Sequence, residues 1–263
     1  MRTVGISRSL LAIASASLAI WSFAYGQFAW QSLPAWIPWQ EIWVYGSALV
    51  LLAGSAGLCF SRTALPGVLT IAAYLAVATA FCIPQIVSDP ISVGAWYPFC
   101  EALTSLVGAW VLFTLLRRQS PGPGMPLASE SALRAARVLF GLTCVFYGWS
   151  HFVYADYTAG MVPAWLPGRL ALAYLTGLGH IIAGLAIIAG ILPRLAANLE
   201  AVMMSLFGLL VWVPSFFAQP RPKWATPPEN QWSELVVTLL LAAAAWIVAI
   251  SLARSYKTLS QNR

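Results

Sequence analysis

Eight long apolar segments recur along the 263-residue chain, and each is long enough to cross a hydrocarbon core about 30 Å thick as an α-helix. Only 8% of the residues are charged, against roughly 25% in a typical soluble domain. Because backbone polar groups inside lipid must be satisfied within a helix or a closed barrel, the pattern predicts an all-α membrane protein with eight transmembrane helices. The segments are residues 9–29, 42–60, 64–86, 99–116, 134–154, 170–192, 195–217 and 233–253.

A short motif occurs twice and indicates an internal duplication. Residues 33–38 read Leu-Pro-Ala-Trp-Ile-Pro, and residues 162–167 read Val-Pro-Ala-Trp-Leu-Pro. Self-similarity at a fixed spacing is the mark of a repeated structural unit. We therefore predict two four-helix repeats, residues 1–116 and 134–263, joined by the Pro-, Gly- and Ser-rich linker 117–133.

The basic residues predict the orientation of the helices. Of the 14 Lys and Arg residues, all but Arg169, Arg221 and Lys223 lie at the termini or in the loops after the second, fourth and sixth segments. By the positive-inside rule, both termini are cytoplasmic, in the inner membrane of a bacterium. The net charge of +6 is thus a topology signal and does not indicate a nucleic acid partner. Four helices per repeat make the two repeats parallel, related by an axis along the membrane normal.

The repeated motif places Trp36 and Trp165 between prolines on the predicted outer face. One interpretation is an aromatic belt at the depth of the lipid headgroups. The other is a pair of loops that dip back into the bundle, because two prolines around a Trp cannot continue a helix. Such loops would roof a cavity for a flat apolar ligand, such as a quinone or a sterol-like lipid.

His180 lies near the middle of the sixth segment, where an ionisable side chain is costly. Gly177 and Gly184 flank it at helical spacing, and the aligned residue of the first repeat is Leu51. Three interpretations stay open: a neutral imidazole hydrogen-bonded between packed helices, a group that binds a ligand or handles protons, and a ligand of a haem or metal ion.

His151 and Glu234 fall at the outer ends of the fifth and eighth segments, and their counterparts in the first repeat are Gln27 and Glu101. We expect His151 to meet Glu234, and Gln27 to meet Glu101, at similar depth. A carboxylate–imidazole pair can relay protons. Alternatively, each Glu simply complements the dipole of the helix that it opens.

Glu200 has no counterpart in the first repeat and is expected to pair with Arg194. The two histidines lie at different depths and no Cys-x-x-Cys-His motif is present, which argues against a bis-histidine haem. The spacing of the His, Cys, Asp and Glu residues predicts no metal site.

The cysteines Cys82 and Cys100 lie at the outer ends of two segments that one loop connects. A disulfide between them is geometrically possible on the oxidising side of the membrane. The alternative is that both are buried, inert thiols.

The second repeat carries a family resemblance. Gly148-Trp-Ser-His-Phe, Val162-Pro-Ala-Trp-Leu-Pro and Tyr174-Leu-Thr-Gly-Leu-Gly-His-Ile-Ile-Ala-Gly resemble the DoxX-like membrane proteins, over roughly residues 134–252. The resemblance implies a four-helix membrane unit and, in tandem, a pseudo-dimer within one chain. One branch of the family is named for a quinone-reducing thiosulfate oxidoreductase, and others are linked to thiol and oxidative-stress systems. Members often carry Glu where this sequence has His180.

Together these patterns favour a redox-linked membrane component that binds a quinone or another apolar small molecule and holds no cofactor tightly. A membrane or periplasmic redox partner would accompany it. The alternatives are a small-molecule or lipid transporter and a scaffold that recruits partner subunits. The expected ligand-binding residues are His180, His151, Glu234, Trp165, Trp36 and Tyr174, and the candidates for proton handling are His151, Glu234, Glu101 and Gln27.

Overall fold

A computed structural model describes residues 2–28, 30, 37–119, 125–218 and 227–261. Within these ranges the chain is helical and contains no strand. The helices are α1 (Arg2–Tyr25), α2 (Gln40–Cys59), α3 (Ala64–Phe81), α4 (Ile83–Ser88), α5 (Val93–Arg117), α6 (Glu130–Val153), α7 (Ala155–Met161), α8 (Arg169–Ala189), α9 (Pro193–Phe207), α10 (Val213–Ser215) and α11 (Pro228–Gln261).

Seven stretches of helix are long and apolar enough to cross a membrane. They coincide with all of the predicted segments except the fifth. That segment forms α6, but the chain bends by 95° where α7 begins, so the pair counts as one broken span or as a span followed by a re-entrant helix. The protein is therefore a multi-pass, all-helical membrane protein.

The helices of each half of the chain pack in chain order. In the first half α1 contacts α2, α2 contacts α3 and α3 contacts α5. In the second half α6 contacts α8, α8 contacts α9 and α9 contacts α11. The halves meet where α5 contacts α6, α1 contacts α11, and α5 contacts α11. In α5 and α11, 78% of the apolar membrane-spanning stretch is buried within the protein, against at most 44% in the other five candidate spans. These two helices therefore form the centre of the bundle.

Glycines allow α6 and α8 to approach each other closely. A Cβ atom added at Gly148 would lie 2.5 Å from Cγ1 of Ile181, and one added at Gly141 would lie 2.8 Å from the carbonyl oxygen of Gly184. Small residues at a helix interface in lipid permit this backbone contact, which dispersion forces and weak hydrogen bonds then stabilise. The close approach brings the end of α6, with His151, against α8, with His180.

A tight turn then folds α9 back along α8. Gly190 ends α8 with a φ of 72°, and Leu192 precedes α9 with a φ of 45°. Glycine adopts the left-handed conformation without steric cost, and Pro193 suits the first turn of the next helix because its missing N–H would have no partner there. This hairpin places Glu200 of α9 opposite His180 of α8.

The membrane helix that begins with α9 changes its winding halfway along. Residues Gly208–Trp212 form a π-helical segment that leads into α10. Pro214 lies two residues after the end of this segment and cannot donate a backbone hydrogen bond to the preceding turn. The wider π turn accommodates that missing hydrogen bond, and π segments inside helices occur frequently at functional sites.

Candidate functional site

A cavity of about 450 Å³ lies in the second half of the chain and extends to α5 of the first half. Its wall is mainly apolar, with contributions from α5, α6, α7, α8, α9, α11 and the π-helical segment. A small number of polar groups converging in a largely apolar pocket is the usual character of a small-molecule site. The ionisable groups on this wall include Glu101, Glu234, His151, His180, Tyr97 and Tyr147.

His180 and Glu200 form a buried pair at the cavity wall. The Nδ1 atom of His180 lies 2.8 Å from Oε1 of Glu200, and each side chain is only 1% exposed. The remaining polar atoms, Nε2 of His180 and Oε2 of Glu200, have no hydrogen-bond partner in the described part of the chain. The expected pairing of Glu200 with Arg194 was therefore wrong, because Arg194 is exposed while Glu200 faces the bundle interior.

The burial of this pair constrains its protonation. A pair without net charge costs least in an apolar interior, since an uncompensated charge there loses its solvation. Three arrangements are neutral: an imidazolium with a carboxylate, a neutral imidazole that accepts a hydrogen bond from a carboxylic acid, and a neutral imidazole whose Nδ1–H donates to the carbonyl oxygen of a carboxylic acid. In each of them the hydrogen bond between Nδ1 of His180 and Oε1 of Glu200 is kept.

The Nε2 atom of His151 can accept a hydrogen bond. The Nδ1 atom of this ring lies 3.1 Å from the carbonyl oxygen of Ala173 and 3.1 Å from the hydroxyl of Thr176. Because a carbonyl oxygen can only accept, Nδ1 carries the hydrogen, and in the neutral ring Nε2 keeps its lone pair. The ring packs against Phe207, and its centroid lies 5.2 Å from that of His180. The two imidazole rings therefore stand side by side.

Glu101 and Glu234 come from different halves of the chain and line the same cavity. Glu101 lies on α5 and Glu234 on α11, and the two carboxyl groups are close enough to repel each other electrostatically. Neither forms a hydrogen bond or ion pair with any residue that the structure describes. The structure thus places Glu101 with Glu234, whereas the sequence suggested Gln27 as its partner. Gln27 is exposed and does not line the cavity.

In the second copy of the repeated Pro-Ala-Trp motif, residues other than the tryptophan line the cavity. Pro163 and Leu166 line the cavity, whereas Trp165 is 71% exposed and is not among the lining residues. That Trp165 covers the pocket stays a prediction, and its exposed ring also fits the aromatic-belt interpretation. Trp36, its counterpart, lies outside the described residues. Tyr174 is also outside the cavity wall and packs against Phe152, with ring centroids 5.4 Å apart.

Cysteines lie near the cavity as free thiols. Cys82 and Cys100 are both buried and unbonded to each other, and both are close to the carboxyl group of Glu101. Their oxidation to a disulfide stays a prediction. Cys144 on α6 is also buried, and its thiol lies beside the Glu200 carboxyl group.

Sequence reasoning missed two features of the site. The first is Glu200 as the partner of His180, a contact that depends on how tightly α8 turns into α9. The second is a buried hydroxyl cluster, in which Thr104 on α5 lies 2.8 Å from both Thr143 and Tyr147 on α6. The sequence signal for Glu200 is its position 20 residues after His180 across a Gly-Ile-Leu-Pro turn. No local motif marks the hydroxyl cluster.

Comparison with known proteins gives one match. Residues 132–213 match the sequence model of the DoxX family. The match contains His151, His180 and Glu200, whereas Glu101 and Glu234 lie outside it. Searches of curated proteins and of solved structures give no significant match.

Proposed function

We propose that this membrane protein, whose residues 132–213 form a DoxX domain, is a redox-linked component that binds a quinone or a similar apolar small molecule. The observation that carries the proposal is the cavity of about 450 Å³, whose wall includes His151 with hydrogen bonds in the described residues at Nδ1 and not at Nε2. Ligand pockets are typically of this size or larger, mostly apolar, with few polar groups that fix the orientation of the ligand.

The composition of the cavity wall supports a ring-shaped apolar ligand. Phe207, Tyr97 and Tyr147 supply aromatic faces, and Met203 and Met204 supply flexible thioethers. Aromatic side chains stack favourably on planar rings, while methionine adapts its shape to irregular ligands. The polar head of the ligand would meet His180 and His151, and its apolar tail would extend between the helices.

The ionisable groups support proton exchange with the bound molecule. Reduction of a quinone consumes two protons and its reoxidation releases them, so a site for such chemistry needs groups that exchange protons. Glu101, Glu234 and His151 lie on the cavity wall and have titratable atoms without a partner in the described chain. Intramembrane ionisable residues are functional candidates because their placement is costly.

The setting that we propose is a bacterial inner membrane, with both termini in the cytoplasm and the cavity opening toward the outer side. The distribution of basic residues supports this orientation. The matching contacts of α1 with α11 and of α6 with α5 support a tandem repeat with α5 and α11 at its centre. In this arrangement a membrane or periplasmic redox partner would dock at the outer face.

The test is ligand binding by variants that fill the cavity. Leu172 lines the cavity, whereas Leu175 is on the same helix but 62% exposed toward the outside. We expect decylubiquinone to bind the wild-type protein and Leu175→Trp, but not Leu172→Trp, as measured by native mass spectrometry in mild detergent. No binding by the wild-type protein, or undiminished binding by Leu172→Trp, would contradict the proposal.

A proton-coupled transporter is the second candidate, favoured by two carboxyl groups, Glu101 and Glu234, that have no counter-ion among the described residues. Two acidic groups at one intramembrane cavity are typical of sites that exchange protons for a substrate. Uptake of a substrate into proteoliposomes, dependent on a proton gradient and lost in Glu101→Gln, would favour this function over the redox-linked one. Glu41→Gln is the matched control, because Glu41 is exposed at the start of α2.

A further inference from the structure

We infer that the cavity selects a ligand whose polar head carries a hydroxyl group, and that within a quinone couple it binds the dihydroxy form more tightly than the dicarbonyl form. The inference rests on the proposed function and names the redox state that the site prefers. One ring nitrogen carries it, Nε2 of His151. The His151 side chain lines the cavity, and its hydrogen bonds within the described chain are made by Nδ1 and not by Nε2.

The His151 nitrogen is an acceptor because of what holds the other side of the ring. The Ala173 carbonyl oxygen, 3.1 Å from Nδ1, fixes the hydrogen on that atom. A ligand therefore has to donate a hydrogen bond to Nε2. A hydroxyl group can do so, whereas a carbonyl oxygen can only accept.

The His180 ring lies beside His151, with the two ring centroids 5.2 Å apart, but its Nε2 atom is buried and is not the group that discriminates. A hydroxyl group in the cavity can donate a hydrogen bond to Nε2 of His151. A carbonyl oxygen in the same place leaves the His151 lone pair without a donor.

The Tyr147 hydroxyl on the cavity wall has a partner inside the protein. The hydroxyl of Thr104 has two acceptors, the carbonyl oxygen of Cys100 at 2.7 Å and Oγ1 of Thr143 at 2.8 Å. When Thr104 donates to either of them, the Tyr147 hydroxyl, 2.8 Å away, donates to Thr104. Thr176 likewise has backbone carbonyl oxygens of α8 within 3.0 Å. These hydrogens are committed inside the protein.

The carboxyl groups of Glu101 and Glu234 can accept a hydrogen bond from the second hydroxyl of a dihydroxy ring. They do not cause the preference for the dihydroxy form over the dicarbonyl form. Glu101 and Glu234 line the cavity, and each keeps an acceptor oxygen whether or not it is protonated. A protonated carboxyl group can also donate, so these residues tolerate both forms of the ligand. The discrimination therefore resides in His151.

A matched series of ligands tests the inference on the wild-type protein. Duroquinol, duroquinone and the dimethyl ether of duroquinol share one ring, but only the first donates hydrogen bonds. Leaving a buried acceptor unsatisfied costs about 1–3 kcal/mol, which corresponds to a difference in Kd of about fivefold to a hundredfold. We expect duroquinol to bind at least about fivefold more tightly than the other two in anaerobic calorimetry.

A variant locates the effect. His151→Phe removes the acceptor and keeps an aromatic ring, so duroquinol should bind this variant no more tightly than duroquinone does. Trp149→Phe is the control, because Trp149 lies on the same helix, is 56% exposed and does not line the cavity.

The outcomes separate the inference from the proposed function. Equal affinities for duroquinol and duroquinone, or tighter binding of duroquinone, would overturn the inference and leave the binding function standing. If none of the three ligands binds, both fail. The comparison on the wild-type protein decides the matter even where His151→Phe does not fold.

Discussion

At the scale of single residues, the His180–Glu200 pair shows how a membrane protein tolerates ionisable side chains. Each side chain is 1% exposed, so water cannot compensate a charge on either. The hydrogen bond of 2.8 Å between them keeps the pair close to net neutrality. Removing one partner leaves the other buried and unpaired, which is the most expensive outcome for a polar group in a low-dielectric interior.

This arrangement predicts strongly non-additive mutations. His180→Leu and Glu200→Leu should each destabilise the protein by about 3–5 kcal/mol, because each leaves its partner unpaired. The double variant should recover much of that loss, since two leucines leave no polar group unpaired in the apolar interior. Unfolding in mixed micelles measures the three stabilities. Additive losses in the double variant would show that the two residues do not interact.

At the scale of helices, the contact between α6 and α8 sets the shape of the cavity. Both helices carry glycine where they touch, so their backbones approach more closely than larger side chains would permit. His151 and Thr176 hydrogen-bond across the same interface. Any separation of these helices therefore enlarges the cavity and moves His151 away from His180.

Glycine substitutions test this contact. In Gly148→Ala the new methyl group would overlap Ile181, and we expect a loss of about 1–3 kcal/mol from overpacking. Gly46→Ala is the control, since no atom lies within 4 Å of the added methyl group and alanine favours a helix by up to about 1 kcal/mol. Thermal unfolding in detergent measures both. Equal stability of the two variants would show that the α6–α8 interface is not tightly packed.

At the scale of the whole molecule, the cavity belongs to both halves of the chain. The DoxX match ends at residue 213, yet Glu101 on α5 and Glu234 on α11 complete the wall. Those central helices also hold the halves together through their mutual contact. The wall of this cavity therefore needs residues from both halves of the chain.

The orientation of the whole bundle is open to direct measurement. A cysteine at position 125 lies beyond the end of α5, and one at position 91 lies just before its start, so the two are on opposite sides of the membrane. Both native residues are exposed, at 42% and 92%. With Cys59 replaced by Ser, an impermeant maleimide added outside should label Ile91→Cys and spare Met125→Cys. The reverse pattern would invert the predicted topology.

The sequence by itself determined the helical, membrane-spanning class of the protein, because apolar runs of sufficient length have no other stable form in a bilayer. It also singled out His151, His180, Glu101 and Glu234 by their cost inside lipid. Only the tertiary structure decided which of them meet. The bend after α6, the glycine contact of α6 with α8 and the turn into α9 depend on packing between distant segments. These contacts exchanged the expected partners, bringing Glu200 to His180 and Glu101 to Glu234, and they left Trp165 exposed.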